Sequence, residues 1–363
     1  MVYNVIGLMS GSSLDGLDIA FVELSEVGGT WTYVIRHAEC RDYTPEWVEA
    51  LKGAINLPAR EYQLLHSRYG RHIGGEVMDF IARHNLDHKV HFIASHGHTT
   101  FHIPEEHTTS QLGCGAAIAA VTGLPVISDL RAMDVALGGQ GAPIVPIGEK
   151  LLFGGYDYWL NLGGIANISA RDGDLFRAFD ICPANRVLDA LAAALGKAYD
   201  ENGALAAGGV TDAKLLQELN SQPYYSQPFP KSLANDFGTD VLLPLIARHT
   251  LSVQGKLRTY VEHIAAQTAA AAQSLPVAKE GPKKLLVTGG GAFNACLVKS
   301  ITEQLAPLGI EVLVPDAQTA AYKEALVMAL IGALRWRQQP NVLASVTGAS
   351  RDSVNGTLWL GEG

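Results

Sequence analysis

The chain has 363 residues, a formal net charge of −9 at pH 7, 48% hydrophobic residues and 17% charged residues. This length exceeds the size at which a single core usually stops growing, so the sequence predicts two domains with a ligand cleft between them. The acidic balance disfavours nucleic acid or a membrane surface as the main partner. No apolar run approaches the ~20 residues that a membrane-spanning helix needs.

The cysteines and the first residues indicate a compartment. Cys40, Cys114, Cys182 and Cys296 lie far apart without a C-x-x-C pair, a pattern that favours a reducing environment and disfavours structural zinc. The chain enters a patterned strand at once, without a basic leader before its first apolar run, so a cleaved signal peptide is not expected. We therefore expect a cytoplasmic protein.

The first two predicted strands, in "NVIGLMSGSSLDGLDIAFVEL", are joined by an unusually polar loop. A tight hairpin needs only two turn residues, whereas glycine amides and serine hydroxyls in larger number can surround an anionic oxygen cluster. The loop lacks the Gly-Lys-Ser/Thr ending of a P-loop and returns into a strand, which excludes a Walker motif. The sequence predicts a phosphate-binding hairpin, with an irregular turn as the alternative.

A second set of elements resembles the first in architecture. The segment "YDYWLNLGGIANISARDGDLFRAFD" again predicts strand, glycine turn, strand, turn and strand, and the helical "RVLDALAAALGKAY" follows. We therefore expect the α/β class with a duplicated βββα core, one copy per domain. Gly and Pro concentrate in "GGQGAPIVP", which predicts a first domain over 1–148 and a second over 149–340. The tail 341–363 could pack back on the first.

A third glycine turn lies in "KKLLVTGGGAFN", a strand that ends in three glycines before a helix predicted over 295–305. Gly289 and Gly291 match the first two glycines of G-x-G-x-x-G, but Asn294 occupies the third position and the segment comes late in the chain, so the dinucleotide fingerprint is a weak match. Bare backbone before a helix still suits a base or ribose. A tight turn without a ligand is the alternative.

The three glycine turns follow the order phosphate hairpin, second phosphate hairpin and adenosine loop, which resembles the actin, Hsp70 and sugar-kinase fold. Over essentially the whole chain, the sequence is similar to the anhydro-N-acetylmuramic acid kinase family. The resemblance lies in "GLMSGSSLDGLD", "ASHGHTTFH", "SDLRAMDVALGGQGAPIVP", "LNLGGIANIS", "FDICPANRVLD", "GGGAFN" and "SVTGAS". It implies a two-domain actin-like (ribonuclease H-like) ATPase fold with a central cleft.

The resemblance also implies a reaction of bacterial peptidoglycan recycling. ATP and water open 1,6-anhydro-N-acetylmuramic acid while O6 is phosphorylated, giving N-acetylmuramic acid 6-phosphate; Mg²⁺ is the implied metal and a homodimer the implied assembly. The catalytic carboxylate falls in "FDICPAN", so Asp180 is the candidate general base, and a structural Asp that caps the next helix is the alternative. The residues expected to bind nucleotide are Gly11, Ser12, Ser13, Asp15, Gly16, Asn161, Gly163, Gly164, Asn167, Gly289, Gly290, Gly291 and Asn294.

Charged residues supply candidates for metal and sugar. Asp15 could hold Mg²⁺ directly or through water, or it could simply close its turn. Arg131, beside Asp129 and Asp134, suits a carboxylate such as the lactyl group because a guanidinium binds both oxygens; a salt bridge between domains is the alternative. Glu324 is expected to bind sugar hydroxyls, or to be an ordinary acid in the first turn of a helix.

The histidines of "ASHGHTTFH" recur within seven residues and invite a metal interpretation. His96 and His98 share one face of a predicted strand, but no carboxylate or cysteine falls at a zinc-like spacing. Sugar contact or core packing is therefore favoured for His96, His98 and His102, and His96 is taken as a substrate residue.

The chain also departs from the family pattern on the sugar side. Where the family reads Phe-Asp-Thr-Gly-Pro-Gly-Asn, this chain has Ile181, Cys182 and Ala184, and His98 and Cys114 replace a usual Gln and Asp. Acidic residues that normally come before the "KEAL" segment are missing. These changes leave two alternatives open, a kinase for a different sugar or sugar acid and a non-catalytic nucleotide-binding member of the fold.

Overall fold

The computed structural model describes residues 1–11, 13–173, 175–229, 231–234, 236–275, 277–279 and 281–361. The chain divides into two compact units, one formed by Met1–Gly154 with Tyr322–Gly363 and the other by Gly155–Ala321. These bounds differ from the sequence-based boundaries at 148 and 340. The chain returns to the first unit at Tyr322, so most of the last long helix belongs there.

Strands and helices alternate along both units. The strands are β1 (Val2–Ser10), β2 (Gly16–Val27), β3 (Thr30–Asp42), β4 (Phe92–Ile103), β5 (Thr108–Leu112), β6 (Val126–Ser128), β7 (Tyr158–Leu162), β8 (Ile165–Asp172), β9 (Leu175–Pro183), β10 (Lys283–Thr288), β11 (Ile310–Leu313) and β12 (Thr357–Trp359). The helices are α1 (Pro45–Gly53), α2 (Ala59–His84), α3 (Gly115–Thr122), α4 (Ala132–Ala136), α5 (Pro146–Leu152), α6 (Asn185–Ala193), α7 (Ala204–Ala207), α8 (Ala213–Asn220), α9 (Leu243–Ala247), α10 (Val253–Ser274), α11 (Ala295–Leu305), α12 (Ala317–Trp336) and α13 (Ala344–Thr347).

The two sheets share one strand order. In the first unit the order is β12-β6-β4-β1-β2-β3, with β5 paired to β4; in the second it is β11-β10-β7-β8-β9. In each, the first three strands form an antiparallel meander. The next two strands of each path, β4 and β6 or β10 and β11, are parallel to the first strand, and β12 pairs antiparallel with β6. The predicted α/β class with duplicated βββα cores is confirmed.

The first sheet buries both faces. Ile6, Leu8 and Ile19 on one face pack in an apolar cluster with α2 residues such as Tyr69. On the other face, Gly7 lies so close to α12 that a Cβ there would stand 2.0 Å from the carbonyl oxygen of Ala325. Gly7 is therefore required for the close approach of helix to strand.

Helix α12 is interrupted at the return to the first unit. Tyr322 has φ −112° and ψ 19°, outside the helical region. One residue later, Lys323 forms a buried ion pair with Glu149 of α5, with 3.3 Å between Nζ and Oε1 and side-chain exposures of 2% and 5%. This pair fixes the second part of α12 in the first unit. No helix of the described residues is long and apolar enough to cross a membrane.

Candidate active site

The loop between β1 and β2 is closed by Asp15. Its Oδ1 accepts hydrogen bonds from the Ser13 hydroxyl at 2.6 Å and from the Gly16 amide at 3.0 Å. Asp15 thus has the turn-closing role, and its side chain remains exposed. Ser12, also predicted to bind phosphate, lies outside the described residues.

The two hairpin glycines have different surroundings. A Cβ at Gly16 would meet Cys40 Sγ at 2.6 Å and Arg41 O at 2.7 Å, so Gly16 is required by the packing of β2 on β3. A Cβ at Gly11 would meet Ser13 Oγ at 3.3 Å and otherwise nothing closer than 3.9 Å among the described residues. The open side of Gly11 therefore leaves backbone accessible to a ligand.

Asp18 is a carboxylate that the sequence analysis missed. It lies on β2, paired with Met9 of β1 and Cys40 of β3. The pKa of Asp18 is raised to about 7, mainly because the carboxyl group is buried. A hydrogen bond with Cys40 opposes this shift, and the charges of Asp15 and Glu324 add to it. The signal in the sequence was a charged residue inside the apolar run "LDIAFV". The charges of Asp15 in the hairpin and of Glu324 in α12 therefore both act on Asp18.

His96 and Arg131 form a hydrogen-bonded pair in the first unit. The His96 Nδ1–H donates to Gly97 O at 2.8 Å, and Nε2 accepts from Arg131 Nε at 2.8 Å. Arg131 Nη1 also donates to Gly141 O at 2.6 Å. Burial and the Arg131 charge lower the pKa of His96 to about 3, so the ring is neutral. Because both ring nitrogens are engaged, His96 orients Arg131.

Arg131 is electrostatically coupled to Glu324. Burial lowers the pKa of Arg131 to about 10, and the charges of Glu324 and Asp134 oppose that shift. Arg131 therefore keeps its charge at neutral pH. Asp134 is fully buried and accepts from the Thr347 hydroxyl and the Gly141 amide, both at 2.8 Å. Its role in the structure is to tie α13 to the glycine-rich loop.

Asp129 lies directly after β6 in a left-handed backbone conformation, with φ 59°. A residue with a Cβ in this region costs about 1–3 kcal/mol, and such strain concentrates at functional sites. Its Oδ2 accepts from the Ser128 hydroxyl at 2.8 Å, which in turn accepts from Trp359 Nε1 at 3.1 Å. Burial lowers the pKa of His66, and the Asp129 charge opposes that shift.

His98 ends a buried chain of hydroxyl groups at the carboxyl end of β1. The Tyr43 hydroxyl donates to Ser10 Oγ at 2.8 Å, and Ser10 Oγ lies 3.2 Å from His98 Nδ1. The Tyr69 hydroxyl contacts that of Tyr43. Burial lowers the pKa of His98 to about 4, so this residue is also neutral.

The second unit presents a row of polar side chains across its sheet. Thr288, Asn161, Asn167 and Asp180 are paired in succession on β10, β7, β8 and β9. Paired residues on neighbouring strands project on the same face. The register shifts directly after Asp180, which leaves Ile181 as an extra residue, and such bulges occur next to active sites. The predicted residues Asn161, Asn167 and Asp180 are therefore brought together.

The predicted adenosine loop lies against the end of β7. Gly289 has φ 84°, and a Cβ there would stand 2.7 Å from Asn161 Oδ1; one at Gly291 would stand 2.6 Å from Leu162 Cβ. Gly290 begins the 3-10 turn Gly290–Phe293. The glycines are needed because the loop packs directly on the second hairpin.

That hairpin is held by the start of α6. The carbonyl oxygens of Gly163 and Gly164 accept from the amides of Asn185 and Ala184, at 3.1 and 2.8 Å. Arg186, which was not predicted from the sequence, has its Nε 3.8 Å from the position of a Cβ on Gly164. A guanidinium group thus lies next to the second predicted phosphate hairpin.

Asn294 is the N-cap of α11. Its Oδ1 accepts from the Leu297 amide at 3.0 Å, and the residue is 8% exposed. The side chain therefore already serves the helix. A contact between Asn294 and nucleotide stays a prediction.

Asp180 lies inside β9, which continues to Pro183. The alternative of a helix cap is wrong, since Ala184 occupies the N-cap of α6 without a side-chain bond. Asp180 Oδ2 accepts from Ser232 Oγ at 3.1 Å and from the Leu233 amide at 2.9 Å. Burial raises the pKa of Asp180, and these two hydrogen bonds oppose that shift. A carboxylate of this kind suits proton transfer.

Two units with the same strand order, each with a glycine hairpin between its first two strands, define an actin-like ATPase fold. Sequence comparison gives the family. A family model described as anhydro-N-acetylmuramic acid kinase matches residues 3–361. The chain therefore belongs to the anhydro-N-acetylmuramic acid kinase family.

Individual relatives with the same name match this chain over nearly their full length. A protein of Salinibacter ruber (strain DSM 13855 / M31) named anhydro-N-acetylmuramic acid kinase is 35% identical, with 98% of this chain and 96% of the relative covered. One of Shewanella sediminis (strain HAW-EB3) with that name is 33% identical over 98% of each chain. Among solved structures, the chain is similar to the activator of the 2-hydroxyisocaproyl-CoA dehydratase from Clostridium difficile with bound ADPNP. That similarity has 15% identity, a TM-score of 0.43 and coverage of 93% and 97%.

Proposed function

We propose that this protein is an ATP-dependent kinase that opens 1,6-anhydro-N-acetylmuramic acid with water and phosphorylates O6, giving N-acetylmuramic acid 6-phosphate. The observation that carries the proposal is the Asp180 carboxylate, held by two donors in a polar row beside a glycine hairpin. Membership of the kinase family supports the choice of substrate.

In the proposed reaction, Asp180 takes a proton from the water that attacks the anomeric carbon. The bond between C1 and O6 breaks, O6 takes the γ-phosphoryl group, and ADP is released. Proton transfer of this kind contributes typically ~10²- to 10⁴-fold. The raised pKa of Asp180 supports the role, because a base is most effective when its pKa approaches the working pH.

The first unit offers groups for the metal and the sugar. Asp15 is proposed to hold Mg²⁺ directly or through water, since this ion favours one or two carboxylates plus phosphate oxygens and water; no group of three metal-ligating side chains occurs in the described part of the chain. The ion would neutralise charge on the transferring phosphoryl group. Arg131, oriented by His96, is proposed to bind the lactyl carboxylate, and Glu324 to bind sugar hydroxyls.

The unusual residues of the "FDICPAN" segment do not favour a different sugar. Ile181, Cys182 and Ala184 are 2%, 0% and 0% exposed and belong to the apolar core of the second unit. They lie in the packing of the core, and the polar row of Thr288, Asn161, Asn167 and Asp180 contains none of them.

The activity is tested by ADP release from purified protein with ATP and Mg²⁺. We expect ADP formation to depend on 1,6-anhydro-N-acetylmuramic acid, and N-acetylmuramic acid, which has a free O6 hydroxyl, serves as the matched control sugar. Turnover with the control sugar alone would indicate an ordinary sugar kinase. ATP binding without turnover of either sugar would indicate a nucleotide-binding protein without this chemistry.

The phosphate assignment of the first hairpin is tested by Gly11→Val. The backbone there can accept a Cβ, so the fold should persist, whereas the added side chain covers amides proposed to hold phosphate. We expect ATP affinity to fall by at least ~10-fold, about 1.4 kcal/mol. Isothermal titration calorimetry measures the change, with Gly53→Val at the end of α1 as the control, since φ there is −79° and an added Cβ would meet nothing within 4 Å. Unchanged affinity in a folded Gly11→Val variant would exclude the assignment.

Cytoplasmic location and a homodimer complete the proposal. The first is supported by cysteines that are free in the described residues, since reducing compartments keep thiols unpaired. The homodimer is proposed because the resemblance to the kinase family implies one, and sedimentation analysis of the purified protein measures the oligomeric state directly.

A further inference from the structure

A short segment lies along β9 next to Asp180. Phe229 stacks on Phe179, with ring centroids 6.2 Å apart, and Lys231 Nζ lies 5.4 Å from the centroid of the same ring. Ser232 and Leu233, the next residues, reach Asp180. We use the term strap for Phe229, Lys231, Ser232 and Leu233. These four residues contact β9 at two adjacent positions, Phe179 and Asp180.

The strap engages one oxygen of the Asp180 carboxylate. Oδ2 accepts both the Ser232 hydroxyl at 3.1 Å and the Leu233 amide at 2.9 Å. Within the described part of the chain, Oδ1 accepts no hydrogen bond. Two donors on Oδ2 fix the plane of the carboxylate and make that oxygen the poorer proton acceptor.

We infer that Ser232 and the Leu233 amide are positioning groups for Asp180, which hold Oδ2 so that Oδ1 is the oxygen that takes the proton. The inference rests on the proposed function, in which Asp180 is the general base. It assigns to the strap the orientation and the basicity of that base. Ser232 does not itself act on substrate in this scheme.

Other ionisable groups near Asp180 are held by different partners. The Tyr224 hydroxyl donates to the Asp180 backbone oxygen at 2.5 Å, and burial raises its pKa. Lys231 Nζ donates to Tyr224 O at 3.3 Å and lies over that ring, 4.7 Å from its centroid. Arg177 of β9 lies over Phe229, and burial raises the pKa of the Cys182 thiol.

The hydrogen bonds of the strap are therefore the specific interactions that oppose the effect of burial on the Asp180 carboxyl. A donor to the ionised form lowers a pKa. When the Ser232 hydroxyl is removed, the pKa of Asp180 should rise further. Activity that needs ionised Asp180 should then require a higher pH.

The test compares Ser232→Ala with Ser232→Thr, which keeps a hydroxyl, and with Ser226→Ala in the preceding 3-10 turn, where the hydroxyl bonds Pro223 O. For Ser232→Ala we expect the acid limb of the kcat profile to move up by about half to one pH unit. At pH values below this acid limb, kcat should then fall by about 3- to 10-fold, with KM unchanged. Ser232→Thr should restore the profile, and Ser226→Ala should match the unaltered protein.

A second measurement is independent of turnover. The carboxyl ¹³C resonance of Asp180, assigned by its loss in Asp180→Asn, is titrated in the sugar-free protein and in Ser232→Ala. A higher midpoint in Ser232→Ala supports the positioning role whether or not the anhydro sugar is turned over. Absence of turnover would reject only the proposed function. An active enzyme whose acid limb and ¹³C midpoint are both unmoved by Ser232→Ala would overturn the inference.

Discussion

The Asp180→Asn variant is expected to lower kcat by at least ~10²-fold while ATP and sugar still bind. The amide keeps the shape of the side chain, and its oxygen can still accept from Ser232 and Leu233, so the local fold should persist. It cannot take a proton from water. ADP release under saturating substrates measures the loss, and calorimetry with ATP measures binding. Full activity in this variant would remove Asp180 from the mechanism.

The origin of the oxygen at C1 of the product is determined by isotope labelling. If Asp180 activates water for attack at the anomeric carbon, reaction in ¹⁸O-water should place the label on C1 and none in the transferred phosphate. Mass spectrometry of the product before exchange at C1 locates the label. Label in inorganic phosphate would instead indicate simple ATP hydrolysis, and an unlabelled product would indicate phosphorylation of a hydroxyl already present.

Lys323→Met should destabilise the first unit by about 3–5 kcal/mol, because it removes the ammonium partner of the buried Glu149 carboxylate. The two side chains are 2% and 5% exposed, so water cannot replace the lost charge. Urea unfolding followed by fluorescence and circular dichroism measures the change in the free energy of unfolding.

Two matched variants accompany this measurement. The double change Lys323→Met with Glu149→Leu removes both charges and should recover most of the stability, since an apolar pair of similar volume is often neutral or better. Arg60→Met at the exposed pair with Glu61, whose side chains are 81% and 45% exposed, should change stability by no more than about 1 kcal/mol. A Lys323→Met variant as stable as the unaltered protein would show that the pair is not a buried one.

The elements that the sequence predicts well are those with local signals. Helix α11 begins at Ala295 and ends at Leu305 as expected, because Asn294 before it and the apolar pattern within it are adjacent in sequence. The hairpins likewise follow from glycines at strand ends. Asn294 itself caps this helix through its side chain, and its predicted contact with nucleotide stays a prediction.

The surroundings of Asp180 could not be predicted in the same way. Ser232 lies 52 residues further along the chain, and nothing in "PKSLAND" indicates that it contacts β9. Asp18 was missed because two groups that act on its pKa, Cys40 of β3 and Glu324 of α12, lie far from it in sequence. Both cases depend on tertiary contacts between segments far apart in sequence, and no periodicity within either segment encodes them.

The discontinuous first unit has a consequence for the order of folding. The second unit, Gly155–Ala321, is continuous, whereas β12, the edge strand beside β6, and the part of α12 that covers Gly7 are synthesised after it. During translation, all strands and helices of the second unit thus leave the ribosome before the first unit is complete. This order is contrary to the usual one, in which the N-terminal domain is completed first. Until α12 follows, the face of β1 around Gly7 lacks the helix that covers it in the folded protein.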